Sequence, residues 1–235
     1  MKNPPTPTPP SPVPVPAPTG TLVWDAPVRV FHWLLAASFA LAWLTGESER
    51  WQHAHLTAGY TMAGLVVFRL LWGLVGTRHA RFRDFVRGPW AAIEYLDALA
   101  DRRPEHHVGH NPAGGIAIVG LLGLAALTAA SGWGCLHRIP GRWMNEVHEL
   151  LASMMLGLVV LHILGVIVGS VLHRENLVAA MIHGRKPVPP DEGIRRPWRS
   201  VAAVLLAAVL GFWWLQWPST PTGEPLAVPI RHHRR

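Results

Sequence analysis

A single cysteine, Cys135, stands in a chain of 235 residues. One thiol excludes a disulfide framework, and it excludes covalent haem attachment, which needs C-x-x-C-H. Charge is scarce too. Asp, Glu, Lys and Arg make up 15% of the chain, against about 25% in soluble domains. An ordinary soluble domain is therefore excluded. No internal repeat is evident, which removes solenoid and propeller architectures.

What the chain has instead is apolar sequence in long runs, with half of all residues hydrophobic. Five segments, near 28–45, 56–75, 115–133, 147–172 and 201–217, approach the roughly 20 residues that cross a bilayer core of about 30 Å. Each is expected to be helical, because lipid offers no partner to an open backbone. Trp24, Trp51, Trp72, Trp133, Trp143, Trp198 and Trp217 stand at the ends of these runs, where indole favours the membrane interface. The net charge of +7 does not indicate nucleic acid, because the arginines flank membrane spans. Arg78, Arg81, Arg83, Arg87, Arg102, Arg103, Arg174, Arg185, Arg195, Arg196 and Arg199 fall on one side and Arg50, Arg138 and Arg142 on the other. The positive-inside rule then puts the N-terminus in the cytoplasm and the C-terminus outside. The basic tail RHHRR opposes that rule at the fifth span only.

Residues 1–22 read as a disordered, Pro-rich cytoplasmic arm. It has no continuous apolar stretch of the kind a secretory signal requires. Residues 23–186 form the core unit of four spans, and 187–235 add a linker, a fifth span and the basic tail. Within the core, GPWAAIEYLDALADRR reads as an amphipathic helix lying on the inner surface, with Trp90, Ile93, Leu96 and Leu99 at helical spacing. The linker GRKPVPPDEGIRRP is expected to be unstructured. The fold class is thus an all-α integral membrane protein: a four-helix transmembrane bundle plus a fifth C-terminal transmembrane helix.

The fourth run holds His148 and His162, and an ionisable side chain inside a span is a functional hypothesis by default. Fourteen residues put both on one helix face, about 21 Å apart along the axis. No single metal ion reaches both. Span 1 carries His32 near its inner end, and span 2 carries His53 and His55 at its outer end. Depth therefore pairs His32 with His162, and a histidine of span 2 with His148. Two histidines at each of two levels suit two haems, each ligated on both faces between bundle helices. A lone intramembrane histidine is more often a helix–helix hydrogen bonder; four at two matched depths outweigh that reading. Zinc binding or ion transfer remains the non-redox alternative.

Arg69 interrupts the apolar run of span 2, fourteen residues after His55 and on the same face. It reaches the inner level, where its guanidinium suits a haem propionate; snorkelling to the interface is the alternative. Gly59, Gly157, Gly165 and Gly169 leave room for a flat macrocycle or for close helix contact. His79, His106, His107, His137, His173 and His183 read as solvated, and His232 and His233 as tail residues. His110, in GHNPAGG, stands at the inner level and is left open.

The stretches VWDAPVRVFHW, HLTAGY, VVFRLLWGLVGTRHARFRDFVRGP, GHNPAGG, NEVHELLA with LHILG, and LHRENLVAAMIHGRK together resemble the bacterial di-haem cytochrome b561 family. The b-type cytochrome subunits of nickel–iron hydrogenases share the resemblance. It spans about 23–186, and the fifth span and the Pro-rich arm depart from it. The resemblance implies His32, His55, His148 and His162 as axial ligands of two non-covalent haem b groups, and its histidine four residues before Gly-Tyr favours His55 over His53. It implies electron transfer in a bacterial cell inner membrane between quinone or quinol and a redox partner. That partner is a periplasmic cytochrome c or a dehydrogenase or hydrogenase complex. Two alternatives stay open: a quinol-linked superoxide oxidase, and a haem-bearing anchor subunit of a larger oxidoreductase. Homodimer formation is also compatible. The chain has no iron–sulfur, flavin or dehydrogenase motif of its own, so it exchanges electrons with other molecules.

Overall fold

The computed structural model describes residues 20–101, 107–137 and 143–216. The Pro-rich arm, His106, Trp217 and the basic tail with His232 and His233 lie outside them. Among the described residues, five helices are long and apolar enough to cross a membrane: α1 (Ala26–Thr45), α2 (Gln52–Val75), α5 (Pro112–Leu136), α6 (Trp143–Leu172) and α8 (Arg199–Gln216). Three shorter helices, α3 (Phe82–Phe85), α4 (Pro89–Ala100) and α7 (Leu177–His183), gather at the end where α1 begins. A two-stranded antiparallel pair, β1 (Thr21–Leu22) with β2 (Arg185–Lys186), joins them. We refer to this as the capped end.

Local chemistry sets the helix starts. Asp25 caps α1: its Oδ1 accepts the Val28 N–H at 2.8 Å, and Pro27 fits the first turn, where no N–H is needed. Asn111 does the same for α5, accepting the Gly114 N–H at 2.7 Å ahead of Pro112. Asn176 caps α7, which ends on Gly184 at φ +81°, a conformation that favours glycine. A Cβ at Gly184 would also stand 2.6 Å from the Trp24 carbonyl oxygen.

Helices α1 and α2 pack along each other, as do α5 and α6, and α2 meets α5. Their common core holds Phe31, Phe39, Met62, Leu65, Val66, Leu122, Ala125 and Met155. The outward faces remain apolar: Val67, Leu70, Leu71, Leu74, Leu161, Leu164, Ile167 and Val171 are all exposed. Water would not tolerate so continuous an apolar surface, whereas lipid requires it.

Two expectations differ from what is observed, and the packing of the fifth span adds a third point. First, Trp24 and Trp72 are buried, 6% and 8% exposed, rather than interfacial. Trp72 donates its Nε1–H to Asp25 Oδ2 at 3.0 Å, so the indole is part of the polar tie at the capped end. Trp51, Trp133 and Trp143 stay exposed. Second, the linker after α7 is ordered. Gly184 O accepts the N–H groups of both Val23 and Trp24, Leu22 O accepts from Ile194, and Pro197 O accepts from Ala26. These bonds use backbone groups, which a reading of side-chain composition does not weigh. Third, α8 packs along α1 and also touches α2. Trp213 donates its Nε1–H to Thr61 Oγ1 at 2.9 Å.

Helix α4 turns Ala92 and Tyr95 inward and leaves Trp90, Ile93 and Leu96 exposed. Its apolar stripe therefore faces away from the protein, as a helix lying in a membrane surface requires.

Candidate functional site

Helix α6 is one unbroken helix, so His148 and His162 share a rigid frame. It packs along α5 and stands off from α1 and α2. Its histidine face looks across that gap to theirs. His162 meets His32 of α1 with ring centroids 6.5 Å apart, nearer the capped end. His148 meets His55 of α2 at 6.1 Å, towards the opposite end. A metal–imidazole bond is about 2 Å and the ring centre lies about 1 Å behind its nitrogen, so two imidazoles on one metal have centres about 6 Å apart. Both pairs have that spacing.

Hydrogen bonds orient the second pair. His55 Nδ1–H donates to the Ala42 carbonyl at 2.8 Å, across the α1–α2 contact. The Ser131 hydroxyl donates to Thr128 O at 3.0 Å, so its oxygen is free to accept from His148 Nδ1–H, also at 3.0 Å. Thr128 O stands 3.1 Å from the same Nδ1. With the proton fixed on Nδ1 in both rings, each Nε2 keeps the lone pair a metal requires. In the first pair, His32 Nδ1 is enclosed without a hydrogen-bond partner. A polar group enclosed without a partner in a native protein indicates a missing ligand, water or ion.

The two histidines at the start of span 2 take different positions. His53 lies against Gln216 at the end of α8, its Nε2 3.0 Å from that carbonyl oxygen, and His55 faces α6. Of the glycines expected to give room, Gly59, Gly157 and Gly165 have nothing within 4 Å of an added Cβ. Gly169 does not: its Cβ would meet Leu177 Cδ1 at 3.2 Å, so it serves the contact with α7. Among the described residues, no three His, Cys, Asp or Glu side chains converge. Zinc, which takes three or four protein ligands, does not match isolated histidine pairs.

Arg69 is 2% exposed. Its Cζ lies 4.8 Å from the Phe82 ring centre and 5.8 Å from that of Phe85, both on or beside α3. Gly73 admits the Phe82 ring so closely that any Cβ there would clash with it. The aromatic residues of α3, folded back over α2, are what enclose the guanidinium, and Arg69 Nη1 is left without a partner. An arginine directed inward in this way is not snorkelling.

Several contributors escaped sequence reasoning. Ala42 and Thr128 act through backbone carbonyls, which carry no side-chain signal. Gly132 is a packing requirement: an added Cβ would stand 3.0 Å from His148 Cε1. Gly132→Val is therefore expected to displace that imidazole and to leave the His32–His162 pair in place. Histidine ring NMR signals of the purified variant check this. His110, between Trp24 and Phe85 at ring distances of 4.5 and 4.6 Å, has its imidazolium pushed down to about 3 by burial and then by the Arg69 charge. It is neutral at neutral pH.

Comparison with known proteins gives the arrangement its family. A profile of the family described as prokaryotic cytochrome b561 matches residues 23–184. The chain belongs to the prokaryotic cytochrome b561 family. Its relatives include proteins named probable Ni/Fe-hydrogenase B-type cytochrome subunit. The one from Bradyrhizobium diazoefficiens is 24% identical, covering 70% of this chain and 85% of its own. Those from Rhizobium leguminosarum bv. viciae and Azotobacter vinelandii are 25% and 23% identical, covering 70% and 74% of this chain and 87% and 91% of theirs. No solved structure matches. A b-type cytochrome of this family carries haem b and transfers electrons at a membrane. The histidine spacing and the open glycine faces fit such a group.

Proposed function

We propose that this cytochrome b561 holds two haem b groups, one between His32 and His162 and one between His55 and His148. The observation that carries the reading is the pair of imidazole contacts at 6.5 and 6.1 Å, on α6 residues about 21 Å apart along the axis. Haem iron with both axial positions filled exchanges single electrons and leaves no position for oxygen. The chain's part is to hold the imidazoles at fixed separation, to exclude water with its apolar walls, and to set each site's charge. The four-helix bundle of α1, α2, α5 and α6 forms the conduit, with α8 alongside. Arg69 supplies a buried guanidinium near the His32–His162 level, where it suits a propionate.

The basic residues Arg78, Arg81, Arg83, Arg87, Arg174 and Arg185 cluster at or near the capped end. This supports a cytoplasmic capped end and N-terminus in a bacterial inner membrane, with the C-terminus periplasmic. Electrons then pass between membrane quinone or quinol and a redox partner. The names of the relatives favour a hydrogenase or similar dehydrogenase complex as that partner, with this chain as its haem-bearing membrane subunit; a periplasmic cytochrome c is the alternative.

The test is a reduced-minus-oxidised spectrum of anaerobic membranes containing the protein, recorded after adding a quinol. Appearance of b-type bands is the expected result. Bands that appear with dithionite but never with quinol would remove quinone from the scheme and leave the haem assignment standing.

A further inference from the structure

His110 and Arg69 approach one ring from different elements. His110 lies just before α5, its ring centre 4.6 Å from that of Phe85. Arg69, on α2, has its Cζ 5.8 Å from the same Phe85 ring. Each carries a nitrogen enclosed without a hydrogen-bond partner, Nδ1 on His110 and Nη1 on Arg69. Two nitrogen groups with unused hydrogen-bonding capacity on one phenyl ring are uncommon in a native interior.

No described acid makes a hydrogen bond to either nitrogen. Asp25 turns both of its oxygens to other donors. Oδ1 accepts from Val28 N–H at 2.8 Å, and Oδ2 accepts from Trp72 Nε1–H at 3.0 Å and Thr77 Oγ1–H at 2.7 Å. Glu175, the other buried acid at this end, pairs with Lys186 through Oε2 at 3.1 Å and keeps Oε1 unpartnered, while Asp84, in the lining of the cleft that reaches His110, pairs with Arg81 at 2.8 Å. The cations on this side are Arg69, which shares the Phe85 ring with His110, and Lys186, which donates to the Val108 carbonyl at 3.2 Å. Two adjacent enclosed nitrogens without partners suit an anion from outside the polypeptide. Arg69 stands fourteen residues after His55, as His162 stands fourteen after His148, so helical rise puts Arg69 at the level of the His32–His162 pair.

We propose that His110 and Arg69 together hold a single propionate carboxylate of the haem at His32 and His162. This rests on the haem reading above and adds a second positioning residue to it. A neutral imidazole donates one N–H to a carboxylate oxygen, and a guanidinium donates to the other. The rings of Trp24 and Phe85 keep water from competing. A cleft of about 250 Å³ reaches His110 past Arg78, His79 and Arg87. A soluble anion such as phosphate is therefore the rival source of the same chemistry.

Redox titration of the purified full-length protein decides it, with wild type, His110→Phe, His110→Gln, Arg69→Leu and the double variant His110→Phe/Arg69→Leu. Removing a donor from a propionate leaves more negative charge beside the iron, which favours the oxidised state. His110→Phe is expected to lower one midpoint only, that of the haem lost in His32→Ala. The expected change is threefold to tenfold in the redox equilibrium, up to about 59 mV for a one-electron couple. His110→Gln, which keeps an N–H donor, should restore most of it. The double variant should fall short of the sum, because both groups act on one carboxylate. Where His110→Phe does not accumulate, His110→Ala carries the same expectation. An unchanged midpoint with both haems bound, strict additivity, or a shift of the other haem overturns the proposal. So does a wild-type midpoint that follows added phosphate, which assigns the pocket to a soluble anion. Wild-type protein devoid of haem overturns the parent reading itself, an outcome distinct from all of these.

Discussion

His32→Ala and His162→Ala are expected to lose the same haem and keep the other, while His55→Ala and His148→Ala lose the one those variants keep. Each pair sits at one level, and the levels are separated by about 21 Å of continuous helix. An alanine leaves an iron ligated on one side only and opens a gap where the ring stood. The remaining level is unaffected, because effects at well-separated sites are close to independent. The readout is pyridine haemochrome quantitation with the redox midpoint of whatever haem remains. The four variants should fall into two classes with two different midpoints. If His32→Ala and His148→Ala share a class, the assignment by level is wrong.

Arg69→Leu is expected to lower the midpoint of the haem at His32 and His162 and leave the other unchanged. A buried cation beside a haem favours the more electron-rich, reduced state. Charge-assisted contacts in enclosed sites are worth about 1–3 kcal/mol, and for a one-electron couple that is about 40 to 130 mV. Exposure of only 2% means that solvent screening does not erode the effect. The haem stays bound, since both axial imidazoles remain. Leucine fills much of the volume beneath Phe82, so the change reports charge more than cavity formation. Potentiometric titration of the variant checks it. Two unchanged midpoints would separate Arg69 from the haem altogether.

The meeting of His148 with a span-2 histidine, and of His162 with His32, was legible in the sequence because helical rise converts residue number into depth. Helices that cross a layer alternate in direction, so a histidine early in α1 and one late in α6 reach the same level. The five spans were legible for a similar reason, since apolar length is a one-dimensional property. What could not be read is what depends on a carbonyl or on a Cβ that is absent. Ala42 and Thr128 orient two imidazoles through main-chain oxygens that any residue would supply. Gly132 matters because His148 passes over it, a fact of packing rather than composition. Trp24 and Trp72 look interfacial by position in the chain, yet Asp25 draws the Trp72 indole N–H inward. The linker after α7 is held by backbone bonds to β1, so its prolines and charges were poor guides to its order. His110 was ambiguous because its neighbours Trp24, Arg69 and Phe85 come from three other parts of the chain.

The central claim, two haems held by four histidines, is tested most directly by haem stoichiometry. Pyridine haemochrome analysis of the purified, intact protein against quantitative amino-acid analysis should give a value close to two per chain. A value close to one would contradict the two-level site, and a haem-free protein would contradict the account as a whole.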